Sequence, residues 1–276
     1  MPPGHFDHLI GGVRPSRHAA AHPPLALATA PKWSGASRSA YPILSRPQRQ
    51  SHAGSCGAQA AARALEADAL SRTGAVFQVC RMDVYYGARW LRGEEAQDSG
   101  VVMEDLWRWL REYGTVSEVL RPYDPALVTT WRPPETWAAE RRMLTADVLP
   151  MPVVVDSILA ELERGRCVPF ASHVYRQMEA EAATTGVEIG PDGGGSLGGH
   201  ARVFCGFDLD RDVSPYGRGA LLLANSWQAW GLPHPLAATD VRFAGQVESF
   251  SWLPVSRVGE WIYHAGRIAR GLAVEA

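Results

Sequence analysis

The stretch Gln50-Ser51-His52-Ala53-Gly54-Ser55-Cys56-Gly57-Ala58-Gln59-Ala60 decides how this chain is read. A helix begins within it. Ala58, Ala61, Ala62, Leu65 and Ala69 recur at helical spacing, with Glu66 and Asp68 off that face. A stripe of such small side chains predicts a helix packed very close to its neighbour, with Ser55 as N-cap and Gly74 beyond the end. Cys56 then sits in the first turn, where the helix N-terminus carries roughly half a positive charge and free N–H groups. That setting favours a thiolate and lowers the thiol pKa, so Cys56 is a candidate nucleophile. Gln50 precedes it by six residues. Its side-chain amide and the Cys56 backbone N–H are placed to converge on the oxygen of a carbonyl under attack, as an oxyanion hole requires.

Outward from this helix, the first half of the chain keeps a helical period. Helices are predicted over 81–91, over 102–113 with Val102, Leu106, Trp109, Leu110 and Tyr113 on one stripe ending at Gly114, and over 154–164 closed by Gly165. The pattern then changes. Residues 167–174, 201–207 and 220–224 are short apolar or alternating runs bounded by Gly and Asp, and read as strands. Helices first and strands second predict an α+β fold with two lobes. The glycine-rich segment 190–199 reads as a mobile loop. Residues 1–49 contain eight prolines, which exclude long helices and predict an extended arm or leader ahead of a domain spanning 50–276.

Two further motifs join the thiol. His200 follows Gly198-Gly199 at the entry of one strand, and Asn225, in Asn225-Ser226-Trp227, stands at the exit of the next. If these strands pair antiparallel, the start of one lies beside the end of the other and His200 meets Asn225. The Asn amide would then hold the imidazole with its other nitrogen towards the thiol. Cys80, Cys167 and Cys205 have apolar neighbours and read as small core residues, and no CxxC pair suggests zinc.

Composition narrows the field. The chain has 276 residues, 46% of them hydrophobic, enough to bury a core in one large domain or two modest lobes. Its 27 basic and 29 acidic residues are nearly balanced and form no basic block, which argues against a general nucleic-acid or membrane-surface binder. Lys32 is the only lysine and Asn225 the only asparagine, a bias that a G+C-rich genome explains and that makes the one retained Asn more informative. No apolar run reaches the ~18 residues of a membrane span. The apolar patch at 25–30 is shorter than a signal peptide's ~7–15-residue core, so the expectation is a protein made without Sec export, cytoplasmic or associated with a virus particle.

With these residues in view, the chain resembles the papain-like cysteine peptidases. Cys56 and His200 are 144 residues apart, within the ~130–150 of that residue order. Gln50 to Ala60, Tyr85-Tyr86-Gly87-Ala88-Arg89, Asp98-Ser99-Gly100, Tyr113-Gly114 with Pro122-Tyr123-Asp124, Gly199-His200-Ala201 and Asn225-Ser226-Trp227 follow in order the landmarks of the bacterial and viral branch, over residues 41–265. The resemblance implies a helical lobe followed by an antiparallel, barrel-like lobe. It implies Cys56 as nucleophile, His200 as general base and acid, Asn225 as orienter, Gln50 as oxyanion donor and Trp227 as a shield over the Asn225–His200 bond. It also implies a polypeptide substrate, hydrolysis through an acyl-enzyme, and no metal or organic cofactor. The chain departs from the family in Gly57, where a Trp often follows the nucleophile, in Gln228 after the Asn-Ser-Trp triplet, and in Pro233 and Pro235.

Other readings stay open at this stage. A related thiol hydrolase acting on cell-wall peptides would keep the Cys and His, and a papain-fold structural or assembly protein of a larger particle would use 1–49 as a docking arm. The leader is expected either to cross the chain's own cleft or to bind a partner protein. His52 reads as a surface loop residue, His173 as half-buried or facing the cleft, and Trp107 and Trp109 as core or interface at helical spacing. Asp98-Ser99-Gly100 is a candidate backbone edge for an extended substrate.

Overall fold

The computed structural model describes residues 12–14, 32–190, 195–228, 230–259 and 261–274, without the side chains of 177 and 179. Helix α1 (Cys56–Thr73) is followed by α2 (Arg81–Trp90), α3 (Met103–Glu112) and the short α4 (Trp137–Met143), with α5 (Val155–Glu163) and α6 (Arg176–Thr185) among the strands. The strands are β1 (Ser39–Ala40), β2 (Asp147–Pro150), β3 (Val168–Val174), β4 (Gly198–Asp212), β5 (Arg218–Ala224), β6 (Phe250–Pro254) and β7 (Ile262–Arg270). They form one antiparallel sheet in the order β2-β7-β3-β4-β5-β6, with β1 pairing β4. The expected α+β architecture, helices first and an antiparallel sheet second, is the architecture found. Among the described residues no helix is long and apolar enough to cross a membrane.

Both faces of the sheet are buried. Ala58, Ala61, Ala62 and Leu65 of α1 share a core with Ala201, Val203, Cys205 and Leu222, while Ile158, Leu159 and Leu162 of α5 share one with Phe170, Phe204, Leu221 and Leu223. Strand alternation sends successive β4 side chains to opposite cores. The alanine stripe brings α1 close to β4, and α1 is buried on more sides than its pattern predicts. Glu66 and Asp68, expected off the packed face, are buried as well.

The reason is an ionic cluster. Glu66 accepts from Arg46 Nη2 (2.9 Å), Ser45 Oγ (2.6 Å), Gln48 Nε2 (3.1 Å) and the Val79 N–H (2.9 Å). Arg46 also reaches Glu118 (2.9 Å), which Arg81 Nε holds from α2 at 2.7 Å. These bonds fasten residues 45–48 to α1, so the chain reaches Gln50 from a fixed point. The sheet itself starts inside the segment expected to be arm, because Ser39 and Ala40 register with Asp208 and Phe207.

Three local expectations need correction. Ser55 stands at the N-cap position but makes no side-chain cap bond; its hydroxyl is shared with Tyr123 OH at 2.6 Å instead. Helix α6, missed in the sequence, occupies an Ala/Glu-rich run ended by Gly186 at φ 72. Of the loop expected at 190–199, residues 191–194 lie outside the described residues, while Gly198 and Gly199 already belong to β4.

Because Glu66 is fully buried, removing it leaves the Ser45, Gln48 and Val79 donors without this acceptor and leaves Arg46 to share Glu118 with Arg81. Glu66→Ala is expected to cost about 3–5 kcal/mol in urea unfolding; an unchanged midpoint would show that the cluster does not hold this region.

Candidate active site

The site forms where the start of α1 meets the start of β4 and the end of β5. Val203 registers with Ala224, so the antiparallel pairing expected between these strands is present and places His200 beside Asn225. His200 Nε2 and Asn225 Oδ1 are 2.8 Å apart, and the same Asn225 oxygen accepts the Ser226 N–H at 2.7 Å. His200 Nδ1 is buried without a hydrogen-bond partner. The Cys56 sulfur lies against the backbone N–H of Ala201, the residue after His200. The Trp227 ring stacks on the imidazole with centroids 4.5 Å apart, and Trp230 packs edge-on against Trp227 at 5.7 Å.

Gln50 is fully buried between the nucleophile loop and the Asn-Ser-Trp turn. Its Nε2 donates to Ala53 O (3.0 Å), its Oε1 accepts from Ser226 Oγ (2.6 Å), and its backbone N–H donates to Ser226 O (3.0 Å). Two residues that the sequence did not single out for this task hold the loop from below. Tyr123 OH donates to Gln50 O (2.8 Å), and the Asp98 carboxylate accepts the Gly54 N–H (3.0 Å) and the Tyr85 hydroxyl. Asp98 is therefore a clamp on the loop. No periodicity or spacing marks such a role; only the fold brings residue 98 to residue 54.

The backbone edge is Val101, and the N-terminal segment occupies it. Val101 N–H donates to Gly12 O (2.9 Å) and Arg14 N–H to Val101 O (2.8 Å), so residues 12–14 run parallel to this wall. On the opposite wall Val13 N–H approaches Gly199 O at 3.4 Å. Arg14 pairs with Glu94. Glycines make the close approach possible: a Cβ at Gly12 would lie 2.7 Å from Cys56 Sγ, and one at Gly199 would lie 1.9 Å from Val13 O. Gly57 serves the same end, because a Cβ there would meet Val101 Cγ2 at 2.4 Å.

Burial reverses the expected electrostatics. The Cys56 thiol is pushed up to about 12 by desolvation, which outweighs the backbone N–H groups of Ala201, Gly57 and Cys56 that favour the thiolate. His200 is pulled down to about 3, chiefly by burial and secondarily by the Arg202 charge, against the Asn225 bond. The covered site thus holds a neutral thiol beside a neutral imidazole. Among the other histidines, His52 is exposed and His173 is half-buried beside Tyr263, ring centroids 4.9 Å apart. Among the described residues no group of three or more His, Cys, Asp or Glu is placed to hold a metal.

Solved structures share this fold. Xylellain, a cysteine protease from Xylella fastidiosa, superposes with a TM-score of 0.64 at 18% identity, covering 97% of this chain and 90% of its own. proCathepsin B S9 from Trypanosoma congolense gives 0.68 at 15%, covering 97% and 88%, and procathepsin L 3 from Tenebrio molitor larval midgut gives 0.62 at 13%, covering 96% and 77%. No family model matches the sequence, and no curated protein is detectably similar to it. The chain has the papain-like cysteine protease fold.

His200 and His234, the latter pulled down to about 4 by burial first and Arg63 second, are neutral when folded but take up protons near their ordinary value of about 6.5 when unfolded. Their contribution is complete above about 6.5 and is lost as pH falls towards the folded values. Asp83, pushed up to about 7 chiefly by burial, opposes this loss in the same window, so in an Asp83→Asn background the melting temperature is expected to drop between about pH 6.5 and 5. A flat profile in that background would contradict buried neutral histidines.

Proposed function

We propose that the chain is a cysteine-type peptidase whose N-terminal segment covers its own active site. The observation that carries this reading is the imidazole of His200, bonded to Asn225 Oδ1 through Nε2, stacked under Trp227 and left with a buried, unpartnered Nδ1, one residue before the Ala201 N–H that meets the Cys56 sulfur. The intact set of thiol, imidazole and amide favours an enzyme over an assembly protein, and the Asn in the third place favours a peptidase over cell-wall hydrolases.

The chemistry follows from the geometry. In the uncovered site Cys56 Sγ passes its proton to His200 Nδ1 and attacks a peptide carbonyl carbon, giving a tetrahedral oxyanion. The Cys56 N–H and the Gln50 side-chain amide donate to that oxygen, the amide held in place by Ser226 Oγ on its Oε1. The C–N bond breaks as His200 returns the proton to the leaving amine, leaving a thioester. A water that gives its proton to His200 then hydrolyses the thioester and frees the acid and the thiol. Asn225 keeps the ring oriented through both steps, and Trp227 keeps water off their bond.

Residues 1–49 are the leader and 50–276 the peptidase domain in this reading, with the leader entering the cleft at 12–14. Support comes from the main-chain bonds of Gly12 and Arg14 to Val101 and from the similar solved structures of procathepsins. The segment is bound without being positioned for attack, because the Gly12 carbonyl oxygen is taken by the Val101 N–H.

An epoxide-type thiol inhibitor, followed by intact mass, tests the reading together with hydrolysis of labelled casein. On protein lacking residues 1–31 one adduct is expected, and none on the same protein carrying Cys56→Ala or His200→Ala, with hydrolysis reduced about 10³-fold or more in both, while the covered full chain reacts more slowly. Absence of adduct and hydrolysis, persisting after removal of residues 1–31, would overturn it.

A further inference from the structure

Two residues along β4 from His200 is Arg202, a charged side chain in the interior. Register between β3 and β4 is unbroken here, so alternation puts both side chains on the same side of the strand. Arg202 Nη1 donates to Glu188 Oε1, and Nη2 donates to Ser172 Oγ at 3.0 Å. Ser172 is the residue registered opposite His200. Glu188 Oε1 also accepts from Ser251 Oγ (2.7 Å), and the Glu188 N–H donates to Trp252 O (2.8 Å). Both members of the pair are fully buried. A buried pair adds little stability over apolar residues of the same volume, because desolvating two charges offsets their attraction. Stability alone therefore does not account for an ion pair two residues along the strand from the imidazole.

We propose that Arg202 and Glu188 are positioning residues for the Cys56–His200 pair, a balanced charge couple that sets where the proton resides. The proposal rests on the peptidase reading. The Arg202 cation disfavours the His200 imidazolium, and Glu188, bonded to it, is placed to offset part of that effect. The couple also ties β4 to the segment that leads into the loop ahead of His200.

Other ionisable groups face the site from its remaining walls. Cys56 and Arg63 come from α1, Asp98 from the loop before α3, Tyr263 from β7 and His173 from β3. Arg63 reaches the Asn225 carbonyl at 3.4 Å. These groups are unchanged in the variants below, so a shift there reports on Arg202 and Glu188.

The test is the pH dependence of Cys56 alkylation by iodoacetamide, followed by intact mass on the full chain carrying Gly12→Val, whose Cβ would lie 2.7 Å from the sulfur and 2.6 Å from Gly54 O and is expected to displace residues 12–14 from the cleft. Glu188→Gln is expected to lower both apparent pKa values of the thiol–imidazole pair by about one unit. Arg202→Lys, which keeps the charge, is expected to leave them near the parent values, and the apolar double variant Glu188→Leu/Arg202→Met to restore them. If Glu188→Gln fails to fold, the double variant against Arg202→Met alone gives the same comparison with the opposite sign. A parent profile in Glu188→Gln, or a double variant shifted as far as the single, would overturn the proposal while leaving the peptidase reading intact. A parent profile that does not change on His200→Ala would overturn both.

Discussion

The close packing of α1 on β4 is the constraint on which the rest of the structure depends. Ala58, Ala61 and Ala62 give the helix a face without bulk, so it lies against Ala201 and Val203 and its first residue, Cys56, comes to the first residues of the strand. A larger side chain in that stripe would lift the helix and separate sulfur from imidazole. Everything else in the site holds one side of this junction. The Glu66 cluster fixes the approach to Gln50, Asp98 and Tyr123 hold the loop before Cys56, and Asn225 and Trp227 hold the ring of His200.

The packing that creates the junction also opposes charge within it. A helix N-terminus and several backbone N–H groups favour the thiolate, yet complete burial outweighs them and leaves thiol and imidazole neutral. Glycine is what permits such tight cover. Gly12 lies beside the sulfur and Gly199 beside the Val13 carbonyl, at distances no side chain would tolerate. Main-chain bonds to Val101 then seat the segment in a manner independent of its side chains, and the Arg14–Glu94 pair adds a contact at the rim.

Much of this was legible in the sequence, for physical reasons that can be named. The alanine stripe announced α1, and the glycines at 74, 114 and 165 marked helix ends that do adopt positive φ. His200 and Asn225 were readable because each stands at a strand end, where antiparallel pairing alone determines the meeting. Contacts between distant residues without periodic signature were not readable. Asp98 reaching Gly54, Glu188 reaching Arg202 and Gly12 reaching Cys56 depend on the completed fold. The buried state of Glu66 was misread because a charged residue off the apolar stripe ordinarily faces water, and here Arg46 and Gln48 come from the supposed arm to meet it. The raised thiol pKa is not legible in the sequence because the helix N-terminus is a local feature, whereas the desolvation that opposes it comes from the completed core around Cys56.

The central claim is that the N-terminal segment keeps an otherwise competent thiol–imidazole pair uncharged. Ultraviolet thiolate absorbance at neutral pH measures it directly, comparing the wild-type chain with Gly12→Val and using Cys56→Ala as the blank for each. The account requires little Cys56 thiolate in the wild type and a clear thiolate signal, abolished by His200→Ala, once Gly12→Val has opened the cleft. Equal thiolate in the covered and opened proteins would contradict it.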